Sequence, residues 1–512
     1  MSAVFQSRLV KLFFWGIALG GLAIGLFLGI WWVDLFRETP ASQYQVKGMF
    51  GPVIDWPLNP IHVTNLPDGR VLSFGTDLRG RQGAQFHYDI WDPKKGTGWD
   101  SHLTLPNTVG TDTFCAGQLV MPSDGSVLIV GGDRVVNGQR NWSSPDINFF
   151  DSKTNTLRSA GRTMERPRWY PTVVTMGNGD VVVAGGRLDP FHYAPLPELF
   201  SPSTGWRTLP GAENAKAFGE VNWNYPRMWV DKEGKLFELS VDGSAARFDP
   251  SGQGSLTPLP VSITKGHPYL PSVMYQPGKI LAIRWFGKAF TIDIDGDKPE
   301  VKPAVWSGLA RFNASLTMMP DGNAFLNGGG MLNNGRFWFL APNYEAKVWH
   351  SDTGHWTKAA IAKRMRMYHS TSILQADGTI LTGGGGAPGP PENLNAEIYY
   401  PSYLFKKDGS GQFAERPVLQ SAPDFVAWGQ SFEIQLNTSE LRKMSLIRVG
   451  SVTHTNNFDQ RLIPLVYKPL GGGRFAVDAP ANSNLAPPGY YYLFVLNKFG
   501  VPAIARQVKL SN

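Results

Sequence analysis

The stretch DGSVLIVGG, residues 124–132, reads as a tight turn, then a β-branched strand that stops at paired glycines. The same phrase recurs as DGRVLSFG from Asp68, NGDVVVAGG from Asn178, EGKLFELS from Glu233, PGKILAIR from Pro277, DGNAFLNGGG from Asp321 and DGTILTGGGG from Asp377. An X-Gly turn between two apolar runs is a strong hairpin signal. The turn glycines, at 69, 125, 179, 234, 278, 322 and 378, recur at steps of roughly 44 to 56 residues. A repeat of that length with paired glycines predicts the blades of a β-propeller. Seven copies predict seven four-stranded blades around one axis.

Outward from the repeat, the chain changes character twice. The glycine-rich region ends at GGGGAPGPPENLN, and from about Arg416 the segments FEIQL, SLIRVG, RLIPLVY, RFAVDAP, YYYLFVL and ARQVKL alternate without the repeat. They fit a separate β-sandwich over residues 416–512, after a kelch-type propeller over 39–415. At the other end, Leu12 to Phe36 is almost wholly apolar, longer than the ~20 residues a helix needs to cross hydrocarbon. It is too long for a signal-peptide core and has no convincing small-residue cleavage site after it. Arg8 and Lys11 precede it and no acidic residue does, so the preceding stub is expected in the cytoplasm. The expected fold class is therefore all-β, preceded by one transmembrane helix. Residues 1–38 form a cytoplasmic stub and signal anchor, with both following domains facing the periplasm or cell exterior.

The net charge of +7 is modest for 512 residues, and no long basic run lies beyond the N-terminus. That excludes a nucleic-acid footprint. Gly 57 and Pro 39 beside an ordinary apolar share of 42% fit many short strands and turns. The chain has one cysteine, Cys115, so no intrachain disulfide can form.

Aligning the repeats on their turn glycines brings one position to one level, nine or ten residues upstream. Cys115 stands there in the second repeat, Trp169 and Tyr170 in the third, Asn224 and Tyr225 in the fourth. The fifth offers His267 and Tyr269, the sixth Phe312 and Asn313, and the seventh Tyr368 and His369. Singly, each is an ordinary strand or core residue. A ring of Cys, Tyr and His around one channel mouth is not what a packed core needs. Imidazole and phenolate donors together suit Cu(II).

At these residues the chain resembles the copper radical oxidases, the galactose oxidase and glyoxal oxidase family. The matching motifs are Phe114-Cys115-Ala116-Gly117, Arg168-Trp169-Tyr170, Tyr368-His369-Ser370 and THTNNFDQR, residues 453–461, in the family's order. The ending PGYYYLFVLNKFGVPA from Pro488 is similar to the family's last strands. The resemblance implies an immunoglobulin-like C-terminal domain and one Cu(II) per chain. Tyr170, Tyr368, His369 and His454 are the implied metal ligands, and a thioether joins Cys115 to Tyr170 as a radical cofactor. It implies oxidation of a primary alcohol or aldehyde, small or on a glycan, with O2 giving H2O2. Tyr368 is then the general base and the Tyr170–Cys115 pair the radical. One departure stands out. Gly185-Gly186 is followed by RLDPFHY, without the tryptophan that galactose oxidase stacks over its cross-linked ring. Trp285, or another tryptophan from a neighbouring blade, is expected to substitute, and galactose as substrate is not implied. The alternative reading is a propeller that only binds glycans or partners, since fold alone does not settle function.

Overall fold

A computed structural model of the chain describes residues 38–308, 311–331, 342–387 and 393–511. The apolar segment expected to span a membrane lies outside them. Among the described residues, no helix is long and apolar enough to cross a membrane.

The described residues are all-β, with α-helix confined to four-residue pieces such as Tyr44–Lys47 and Ala215–Phe218. Their strands form nine sheets, seven built around the repeats and two from residues 419–510. The repeat hairpins fall where the turns predict. In the second, Gly117–Val120 pairs with Val127–Val130, with Val120 opposite Val127. The chemistry of the turn is also shared. Asp124 Oδ1 accepts the Ser126 N–H at 3.0 Å, and Asp68, Asn178, Asp321 and Asp377 accept the amide two residues on in the same way. These Asx turns pre-fold the hairpin while glycine supplies the left-handed residue, with φ of 71° to 91° at all seven turns. Innermost and second strands such as Thr172–Thr175 and Val181–Ala184 are buried throughout. Second strands such as Val127–Val130 and Val181–Ala184 accordingly read as continuous apolar runs.

The paired glycines have a separate cause. A Cβ on Gly131 would collide with the carbonyl of Arg168, the last residue of the same sheet's outermost strand, and one on Gly328 with the Arg366 carbonyl. Each pair lets one sheet touch the backbone that carries the next sheet's ring residue. That backbone is braced by a buried ion pair. Arg168 Nη2 meets Glu198 Oε1 at 2.9 Å while its Nη1 donates to the Gly185 carbonyl. Arg366 repeats the pattern with Glu397 and the Gly384 carbonyl.

The sheets depart from uniform four-stranded blades in three places. The second sheet carries long strands, Gln139–Asp151 and Thr156–Arg168, and an added strand Asp133–Val136. The outermost pairing of the seventh sheet comes from Met49–Phe50 and Ile54–Asp55, so the front of the described chain completes the sheet of its last repeat. The third departure positions the site. Ser451–Thr453, from the C-terminal region, pairs antiparallel with the innermost strand His62–Asn65 of the first sheet, with Thr453 opposite His62. The two remaining sheets stack Ile434, Val477, Leu446, Leu493 and Val508 between them, and this sandwich projects the 451–461 finger into the propeller.

Candidate metal centre

Five sheets present a non-glycine residue in left-handed backbone just before or within the innermost strand: Cys115, Tyr170, Tyr225, Asn313 and His369, with φ of 45° to 69°. His454, on the inserted finger, has φ 47°. Such conformations cost about 1–3 kcal/mol each and cluster where function requires them. Here a relay of backbone bonds holds them. The Tyr170 N–H donates to the Cys115 carbonyl at 2.9 Å and the Tyr225 N–H to the Tyr170 carbonyl at 3.0 Å, passing from sheet to sheet.

The result is a compact constellation. The Cys115 Sγ lies 3.5 Å from His454 Nε2, and the ligand atoms of Cys115, His369 and His454 are all within 4.8 Å of one another. The Tyr170 and Tyr368 hydroxyls share a short hydrogen bond. The Tyr170 ring is 4.8 Å from the His454 ring, and the Tyr368 ring stacks on His369 at 3.8 Å. The Cys115 Sγ and the Tyr170 ring both lie against the His454 imidazole. Thus Cys115, Tyr170, Tyr368, His369 and His454 come together at one place. Trp285 does not join them. Its ring neighbours are His267, Phe286 and Phe312. The indoles beside Tyr170 are Trp169 at 4.4 Å and Trp223 at 5.3 Å, both edge-on and not stacked. The expectation for Trp285 is corrected on that geometry, because its indole packs between His267 and Phe312, away from Tyr170.

The donor chemistry fits a bound metal. His369 Nδ1 is 2.6 Å from the Gly386 carbonyl, so the proton sits on Nδ1. Its Nε2 is buried with no hydrogen-bond partner. His454 Nδ1 is 2.6 Å from Thr453 Oγ1, again leaving Nε2 toward the cluster. Nδ1 held by an outer partner with Nε2 free is the usual state of a ligating histidine. Burial pushes the His369 imidazole down to about 3, and burial with the neighbouring His369 and His62 rings holds His454 well below its ordinary value. Both are therefore neutral, as ligation requires. The phenols of Tyr170 and Tyr368 are pushed well up, chiefly by burial, as is the Cys115 thiol.

Several neighbours were not legible in the sequence. His62 Nε2 accepts the Cys115 amide at 3.0 Å while its Nδ1 meets Gln118 Oε1 at 2.7 Å, so His62 fixes the cysteine and has no nitrogen left for a metal. Arg187, just past the glycine pair, lays its guanidinium over Trp223 at 4.2 Å. The finger motif also has structural work. Asp459 accepts the Thr175 amide, Gln460 accepts the Met318 amide at 2.8 Å, and Thr455 Oγ1 accepts from Arg227 at 2.7 Å. These contacts lock His454 against three sheets.

Two neutral imidazoles, two phenols and a thiol gathered at one buried place offer the donors of a metal centre. Known proteins agree. Residues 416–510 match the galactose oxidase-like early set domain. Galactose oxidase of Gibberella zeae is 28% identical, across 94% of this chain and 73% of its own. Aldehyde oxidase GLOX of Vitis pseudoreticulata is 24% identical, across 79% and 83%. A solved fungal alcohol oxidase of the AA5 family, in complex with copper, superposes with TM-score 0.80 at 25% identity, covering 91% of this chain and all of that one. The chain is a homologue of the galactose oxidases and the aldehyde, or glyoxal, oxidases.

Proposed function

We propose that this chain is a mononuclear copper radical oxidase that converts a primary alcohol or aldehyde, with O2, to the aldehyde or acid and H2O2. The convergence of Cys115, Tyr170, Tyr368, His369 and His454 carries the reading. The homologues named galactose oxidase and aldehyde oxidase support it. In this reading Tyr170, Tyr368, His369 and His454 hold one copper ion. When bound, the copper supplies a one-electron acceptor and a place for the substrate oxygen. The protein supplies the rest. Tyr368 Oη, half-buried where Tyr170 is fully buried, takes the substrate hydroxyl proton. Cys115 Sγ joins the Tyr170 ring carbon ortho to the phenol oxygen. The C–S bond forms as one S–H and one C–H hydrogen leave to O2, giving H2O2. Sulfur on the ring lowers its oxidation potential, so Tyr170 and not Tyr368 is the group that removes the substrate hydrogen atom. A non-catalytic binding propeller gives no reason for the bare, buried Nε2 of His369.

The same reading takes the seven sheets as seven blades around one axis over residues 39–415, with an immunoglobulin-like domain over 416–512. Residues 12–36 are read as a membrane anchor that leaves the oxidase outside the cytoplasm. A C-terminal reporter active in the cytoplasm overturns that topology. Two measurements test the activity: H2O2 release by copper-loaded protein over a panel of primary alcohols and aldehydes, and its loss in Tyr368→Phe. Release without copper, or unchanged release in Tyr368→Phe, contradicts the mechanism.

A further inference from the structure

The folded body begins almost where the proposed membrane anchor ends. Phe36 closes the apolar segment and Glu38 already belongs to the described fold, so at most about 7 Å of chain separates them. Glu38 Oε1 meets Lys363 Nζ at 2.8 Å, and Thr39 Oγ1 accepts the Ile361 amide at 3.4 Å. A body tethered that closely cannot stand away from a bilayer. The surface around residue 38 has to lie against the headgroups.

Two segments make that surface. Residues 41–47 run along a loop, residues 405–413, that is closed by Phe405 bridging Phe413. Gln45 Oε1 accepts the Gly409 amide at 2.7 Å, and Lys407 Nζ donates to the Gln45 and Ser402 carbonyls at 3.2 and 2.9 Å. Gly411 is so close to Ala41 that an added Cβ would lie 2.7 Å from the Ala41 Cβ. Ala41 is in turn at most about 11 Å of chain from Glu38. The loop is therefore held beside the tether point.

What this surface exposes suits a bilayer. Val46 is 65% exposed and Phe413 55%, although the Phe405 and Tyr400 rings back Phe413 at 5.0 and 5.6 Å. Lys363, Arg364, Lys406 and Lys407 are exposed nearby, and Lys47 is half-buried. These cations outnumber the acids Glu38, Asp408 and Glu415, and Glu38 is already paired with Lys363. Single exposed apolar side chains need no explanation elsewhere on a protein. Here an aromatic and an aliphatic side chain stand among cations at the point where the tether brings the headgroups. That combination matches the polar boundary of an anionic bilayer.

We infer that Val46 and the 405–413 loop form a membrane-docking face. Val46 and Phe413 enter the headgroup layer of an anionic bilayer, and the surrounding cations meet its phosphates. The inference rests on reading residues 12–36 as an anchor, and the test lets the two fail separately. The full chain is reconstituted into vesicles of equimolar phosphatidylcholine and phosphatidylglycerol. A nitroxide is attached in Val46→Cys, Phe413→Cys and, as a control, Phe191→Cys, which is 78% exposed in the third repeat. The unsubstituted chain, whose only cysteine is buried, is the blank. Collision of the label with O2, which concentrates in lipid, is compared with collision with a water-soluble nickel chelate. O2 is expected to win at 46 and 413 and the nickel chelate at 191. Replacing the phosphatidylglycerol by phosphatidylcholine is expected to move the label at 413 toward water. Labels at 46 and 413 as open to nickel as the one at 191, in a chain that resists carbonate extraction, overturn the docking face and leave the anchor standing. Lipid-shielded labels in a chain that carbonate releases sustain the docking face and sink the anchor.

Discussion

Tyr170 and Cys115 are joined through the main chain before any side-chain chemistry is considered. The amide of Tyr170 donates to the carbonyl of Cys115 at 2.9 Å, across two neighbouring sheets, and both residues are left-handed. That bond sets the thiol and the phenol side by side. His62 fixes the same cysteine from the opposite flank through its amide. The propeller therefore pre-organises the backbone of the pair.

Loss of His454 is expected to weaken copper binding by more than the about 10–100-fold that removing an outer partner of a ligand costs. Thr453→Ala removes such an outer partner, the hydroxyl 2.6 Å from His454 Nδ1, and is expected to fall within that range. Isothermal titration with Cu(II) measures both. His454→Ala should keep its fold, because Asp459 and Gln460 still tether the finger to the sheets. Wild-type copper affinity in His454→Ala contradicts the proposed ligand set.

Arg168→Ala is expected to destabilise the protein by about 3–5 kcal/mol, the cost of stranding one member of a buried ion pair. Glu198 would be left with only the Glu165 and Arg166 amides. Because Arg168 also braces the backbone two residues before Tyr170, copper affinity should fall along with the denaturation midpoint. A chemical denaturation curve on the chain from Thr39 reads the first effect. A shift under about 1 kcal/mol contradicts the bracing role.

Much of this was legible in advance, for physical reasons. Asx–Gly turns and β-branched runs are local signals, so the hairpins were readable at each repeat. The ring of site residues followed because a repeat forces equivalent positions to one level, which is how Cys115, Tyr170 and His369 could be paired from sequence. Contacts made by loops across repeats were not legible. Nothing in the spacing says that Trp223 leans on Tyr170 while Trp285 turns to Phe312. Likewise the pairing of Ser451–Thr453 with His62–Asn65 joins segments from opposite ends of the chain, and no local pattern encodes it.

Glu238 gives a pH signature independent of the metal centre. Burial pushes its carboxyl up to about 8, against which the Ser240 hydroxyl is only a partial counterweight. Between the unfolded value near 4.5 and about 8, the folded state holds a proton that the unfolded state lacks. Stability contributed by this group is therefore full at low pH and is lost as pH rises through that window, at up to about 1.4 kcal/mol per pH unit. Glu238→Gln is expected to flatten the slope and to raise the melting temperature relative to wild type at pH 8 and above. Parallel wild-type and variant profiles contradict the assignment.

The central claim is the bond between Cys115 and Tyr170, and intact mass tests it most directly. Copper loading of the reduced protein in air is expected to lower the mass by about 2 Da, because closing the thioether removes two hydrogens and adds no atom. The only cysteine of the chain should then resist alkylation even after denaturation, while copper-free protein is alkylated once. In Cys115→Ser the mass should not change on copper loading, and oxidase activity should be nearly abolished with the fold retained. An unchanged mass together with a fully alkylatable Cys115 in copper-loaded, aerated protein contradicts the account.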